Sequence, residues 1–87
     1  MGSIDDYLRM ESEIEDALVA RRMYPSVVLL TRGFLKLSFM SPEVRERFLS
    51  EVIKPETLSD KRTISIEEDG LSVILSGLAL NICLRDL

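Results

Sequence analysis

The stretch "GFLKLSFMSPEVRERFLSEVIKPE", residues 33–56, changes its hydrophobic period once, at Ser41-Pro42. Before that corner Leu35, Leu37 and Phe39 alternate with Phe34, Lys36 and Ser38, which sends one set of side chains to each face of a strand. After it Val44, Phe48, Leu49, Val52 and Ile53 recur at three and four, the spacing of a helix with one buried side. The corner has the chemistry for the change. Ser41 can cap the helix, Pro42 suits its first position because φ is already set, and Glu43 puts an acid where the helix dipole favours one. The reading is a strand from about Phe34 to Phe39, then a helix that ends before Pro55, with Glu43 and Arg47 paired one turn apart on its outer side.

Toward the C-terminus, "KRTISIEEDGLSVILS" at residues 61–76 reads as a hairpin. Asp69-Gly70 is a favoured type I′ pair, and a two-residue turn there sets Ile66 opposite Val73 and Ile64 opposite Leu75 on one face. Every large residue but Ile74 lands on that side, so turn chemistry and pattern agree. The last stretch, "GLALNICLRDL", fits two templates. Leu78, Leu80, Ile82 and Leu84 alternate as a third meander strand would, while Leu80, Cys83, Leu84 and Leu87 fit one side of a helix. Local pattern alone slightly favours the strand.

Toward the N-terminus, "SIDDYLRMESEIEDALVARR" at residues 3–22 reads as an amphipathic helix. Ser3 is placed to cap it, Asp5 and Asp6 fall in the first turn and Arg21 and Arg22 in the last. Ile4, Tyr7, Leu8, Ile14, Ala17 and Leu18 share a face that Glu11 interrupts. Tyr24-Pro25 breaks the pattern, because the residue before proline is pushed out of the helical region. Residues 26–33 stay open: valines and Gly33 favour a strand, but a helix from Ser26 to Met40 would also read as fully buried.

Composition bounds the function. A chain of 87 residues is one domain, and at that size folding buries only about 60 to 65% of the unfolded chain's surface, so a binding partner is expected. With no histidine, neither a Ser-His nor a Cys-His dyad can be built within this chain. Catalysis by the chain alone is therefore not expected. The single Cys83 excludes an internal disulfide and reads as a small apolar packer. No cofactor is expected: Gly33, Gly70 and Gly77 form no phosphate loop, and Glu67-Glu68-Asp69 lacks the alternating spacing of a calcium loop, so it reads as a solvated hairpin tip.

A net charge of −4 speaks against a broad nucleic-acid footprint. Arg21-Arg22 and Lys61-Arg62 could each touch one or two phosphates, the plainer reading being a helix end and a strand start in solvent. The five aromatics, two Tyr and three Phe, offer little for stacking single strands, and Phe34, Phe39 and Phe48 read as core. No apolar run is long enough for a membrane span, and Met1 begins no basic-then-apolar leader, so the expected location is the cytoplasm.

Four stretches, "FLKLSFMSP", "FLSEVIKPE", "RTISIEEDGLSVIL" and "CLRDL", stand in an order that resembles one family. It is the small dimerisation subunit of the KEOPS/EKC complex, the Pcc-type or CTAG/LAGE-like family, whose members run strand, helix, strand, strand, helix. The likeness covers about 55 residues by order and spacing. Together with the residue pattern, it gives an expected α+β fold in which a unit at 33–87, with a three-stranded antiparallel sheet and helices on one face, follows a helical extension at 1–24. It further implies a non-catalytic role in tRNA threonylcarbamoyladenosine modification. Such a subunit forms a homodimer, or a heterodimer with a paralogue, and docks on the ATPase-fold catalytic subunit, so tRNA is met only indirectly. The surface implied for docking includes Leu78, Leu80, Ile82, Leu84 and Arg85. The family's last element is a helix, usually with a small-acidic opening, where this chain has Ser76-Gly77 and then "LALN". The N-terminal helix is extra to the family pattern.

Overall fold

A computed structural model describes residues 4–53 and 55–87, with the side chains of Ile4 and Asp5 outside what is described. The expected Ser3 cap and the Asp5 contribution to the first turn therefore lie outside the described residues. The elements are α1 (Ile4–Ala20), β1 (Pro25–Leu30), β2 (Leu35–Phe39), α2 (Pro42–Glu51), α3 (Pro55–Leu58), β3 (Ile64–Ile66), β4 (Ser72–Leu75) and α4 (Gly77–Asp86). The period switch at Ser41-Pro42 is the β2–α2 junction, and the Ser41 hydroxyl accepts from the Val44 N–H at 3.3 Å as a cap should. Outside the helix, Arg47 pairs forward with Glu51 at 3.1 Å instead of back with Glu43.

The class is α+β, but the sheet has four antiparallel strands in the order β1-β2-β4-β3, which corrects the expected three. The added strand is β1. It pairs with β2 so that Leu30 faces Leu35 and Val28 faces Leu37, doubling the apolar stripe that the alternation of β2 had begun. Thr31 makes the turn: its hydroxyl accepts from the N–H groups of Gly33 and Phe34, and its N–H donates to the Phe34 carbonyl at 2.8 Å.

In the second hairpin Ile64 faces Leu75 and Ile66 faces Val73, the register that a two-residue turn at Asp69-Gly70 requires. The turn itself differs from type I′, because Gly70 has φ 78 and Asp69 has no positive φ. The Asp69 carboxylate closes the loop instead, accepting from the N–H groups of Leu71 and Ser72, both at 2.8 Å.

Residues 77–86 form a helix, so the strand that local alternation favours there is not made. The reason is topological: β4 already has β2 on one side and β3 on the other, and a further meander strand would find no free edge beside it. Gly77, with φ 48, turns the chain out of the sheet at a point where a Cβ would lie 3.1 Å from the Thr63 methyl.

One core holds the molecule together. It takes Leu35, Leu37 and Phe39 from β2, Val73 and Leu75 from β4, Ile14 and Leu18 from α1, Phe48 and Leu49 from α2, and Ala79 and Cys83 from α4. The helices α1, α2 and α4 thus lie on one face of the sheet. The α1 segment is part of this core, not an appendage, since Leu18 and Met23 are fully buried. The Phe39 and Phe48 rings, 5.3 Å apart, join sheet to helix. Each such buried apolar side chain stabilises by about 1.5–3 kcal/mol.

Candidate protein-binding site

Because α1, α2 and α4 all cover one face, the opposite face of the sheet is left to its own side chains. Strand register puts Leu29 beside Lys36, Lys36 beside Ile74, and Ile74 beside Ser65, a rung running across all four strands. A second rung carries Val27, Ser38 and Ser72. Leu29 is 44% exposed and Val27 43%, values that belong to a face without cover. Among the described residues Lys36 has no ion-pair partner, so a lone ammonium sits between two apolar neighbours.

Near the hairpin loop the same face becomes polar and closed. The Ser38 and Ser72 hydroxyls are 2.7 Å apart and buried, and the Ser72 hydroxyl donates to the Asp69 carboxylate at 2.5 Å. From α2, Arg45 donates to the carbonyls of Glu67 at 2.9 Å and Ser72 at 3.2 Å, tying helix to hairpin. These bonds, first that from Ser72 and then that from the Leu71 N–H, hold the Asp69 carboxyl below its ordinary value. The sequence signal for this cluster was Asp69-x-x-Ser72, an acid that can accept from the backbone two and three residues on; nothing local pointed to Arg45.

The two edges of the sheet are treated differently. At β1, Glu11 of α1 accepts from the Leu30 N–H at 2.7 Å. The acid that interrupts the apolar stripe of α1 therefore satisfies an edge-strand donor. At β3, Ile66 is 47% exposed and borders a groove of about 380 Å³ lined by Leu58, Lys61, Ile64, Ser65 and Ile66.

The residues expected to bind partners on α4 do not form one surface. Leu78 is 54% exposed and Arg85 is exposed beside Asp86, seven residues away on the same stripe. Ile82 is buried, Leu80 packs on the core, and Leu84 does so beside a cleft that α1 shares through Met10 and Ala17. Lys61 and Arg62 occupy the turn before β3, where Arg62 pairs with Asp60 at 3.5 Å. Arg21 is committed to the Asp86 carbonyl at 3.0 Å. Burial pushes the Cys83 thiol up to about 12, so it stays protonated and packs.

Among the described residues no three Cys, Asp or Glu side chains converge as a metal site, and no helix is long and apolar enough to cross a membrane. The chain matches no protein-family model, no curated protein and no solved structure.

Proposed function

We propose that this chain is a non-catalytic subunit that associates with a second copy or a paralogue and docks on a larger partner through the uncovered face of its sheet. The rung Leu29, Lys36 and Ile74 carries the reading, as an apolar strip with an unpaired cation at its centre. Covering such a strip is favourable by about 25 cal/mol per Å² of apolar surface. An acidic side chain on the partner would meet Lys36 at the moment it is desolvated.

The resemblance to the small KEOPS/EKC subunits names a partner, the helical part of the ATPase-fold threonylcarbamoyl-transferase, with tRNA met only through the complex. Apart from the single turn of α3 between α2 and β3, the order β2, α2, β3, β4, α4 follows that family's strand, helix, strand, strand, helix, and a helix as the last element supports it over another α+β module. A second reading rests on α1 and β1, which that pattern lacks and which here are built into core and sheet. They favour a structural subunit of a different assembly.

The test is affinity purification of the tagged chain from its native lysate beside a Leu29→Asp variant, with mass spectrometry of what accompanies each. The transferase subunit is expected at near-stoichiometric yield with the wild type and lost with the variant. A different stoichiometric assembly, lost in the same way, would replace the KEOPS partner by the second reading. Equal recovery from both proteins would move docking off this face.

A further inference from the structure

The uncovered face of the sheet carries two full rungs. Leu29, Lys36, Ile74 and Ser65 form one, and Val27, Ser38, Ser72 and Glu67 the next, where the Glu67 N–H donates to the Ser72 carbonyl at 3.1 Å. Of these residues only Lys36 and Glu67 are charged. Among the described residues Lys36 has no ion-pair partner, and Glu67 accepts from the Ser65 hydroxyl at 3.2 Å but meets no cation. Phe34, two residues before Lys36 and only half-buried, falls on the same side of β2 by alternation. Lys36 is thus ringed by Leu29, Phe34 and Ile74, whereas the middle of the next rung is the buried Ser38–Ser72 pair.

This layout selects the kind of segment that can lie on the face. Ladder hydrogen bonds run in the plane of a sheet, so the face offers an occupant no backbone partner. The occupant must satisfy its own backbone, as a helix does within one segment. A second sheet would bury alternate side chains over several strands, and the apolar ground here is one strip around Lys36. Lys36 and Glu67 stand two strands and one rung apart, about 12 Å on the strand spacings. That is the rise of about eight helical residues. A helix whose N-terminal part lies over Glu67 and whose C-terminal part lies over Lys36 sets each end of its dipole against the opposite charge.

We propose that the open face takes a single amphipathic helix of the larger partner, laid in one direction. Its apolar stripe covers Leu29, Phe34 and Ile74, and a carboxylate within that stripe meets the Lys36 ammonium. A Lys or Arg about seven or eight residues before that carboxylate meets Glu67. The two charges of the face therefore fix both the composition of the helix and the way it points. The inference rests on the docking half of the proposed function for its surface, and not on which protein supplies the helix.

Zero-length carbodiimide coupling of the affinity-purified complex, read by mass spectrometry, tests it, because the reagent joins an ammonium to a carboxylate only where the two already touch. Lys36 should couple to an Asp or Glu of the partner, in a segment with apolar residues three and four positions to either side and a Lys or Arg about seven or eight positions before. Lys36→Glu, checked for folding by circular dichroism, should lower recovery of the partner by about tenfold or more. Recovery that Leu29→Asp leaves unchanged removes the docking reading and this inference with it. Where Leu29→Asp does release the partner, four results overturn the helix while leaving docking on the face standing. They are full recovery with Lys36→Glu, no coupling at Lys36, a coupled segment of period two, and a basic residue that follows the acid instead of preceding it. Coupling of Lys36 to an acid of a second copy of this chain overturns it as well, and gives the face to self-association.

Discussion

Arg22 holds φ 60, a left-handed backbone that L side chains avoid, and it does so to end α1. The Met23 N–H reaches back to the Leu18 carbonyl at 2.9 Å and the Arg22 N–H to the Val19 carbonyl at 2.9 Å, the paired bonds of a Schellman cap, with Leu18 and Met23 both fully buried. Glycine normally fills this position. Since the left-handed region costs an L residue about 1–2 kcal/mol and glycine returns part of that as unfolded-chain entropy, Arg22→Gly should stabilise by about 0.5–1 kcal/mol in urea unfolding. A loss of stability would mean that the exposed Arg22 side chain contributes more than its backbone costs. Asp69 offers a second test at this scale. Its folded-state value lies below 3.8, so the stability it contributes is present above the unfolded value and is lost as pH falls through the lowered one. Thermal unfolding followed down through that window should show a shallower acid limb for Asp69→Asn than for wild type. Identical limbs would assign the acid sensitivity to other carboxylates.

At the scale of elements, the β1 hairpin and α1 depend on each other. Glu11 breaks an otherwise apolar stripe, and from α1 alone it looks like a defect in amphipathicity. The structure gives it the Leu30 N–H, a donor at the open side of β1. Glu11→Ala leaves that donor without its partly buried acceptor and should cost about 1–2 kcal/mol, with Glu11→Gln recovering part of it. Chemical denaturation of both variants measures this, and equal stabilities would show that water replaces the carboxylate at no cost. The same logic separates the two hairpins. Ile64 to Leu75 was legible because turn residues and alternation agree within a dozen residues. Leu30 to Leu35 was hidden, because "TRG" carries no favoured turn pair and the Thr31 hydroxyl builds the turn instead.

For the whole molecule, the decisive fact is that three helices share one face of a four-stranded sheet. The side chains of the other face contribute little to the core, so Leu29→Asp should change stability by no more than about 0.5 kcal/mol while removing the docking strip. If the variant unfolds instead, Leu29 belongs to the fold and the docking surface must lie elsewhere. The sequence by itself determined the β2–α2 junction, the register of the second hairpin and the faces of both, because these follow from spacings of two to four residues and from turn chemistry nearby. Only the tertiary structure decided that residues 25–30 pair with β2, that residues 77–86 leave the sheet as α4, and that Glu11 and Arg45 have backbone partners. The residues that the resemblance implied for docking, Leu78, Leu80, Ile82, Leu84 and Arg85, are spread around the axis of α4, some buried and some exposed. In each of these cases the outcome depends on which strand edge or polar group stands free after the rest of the chain has packed. That is a property of neighbours distant in sequence, and no local period carries it.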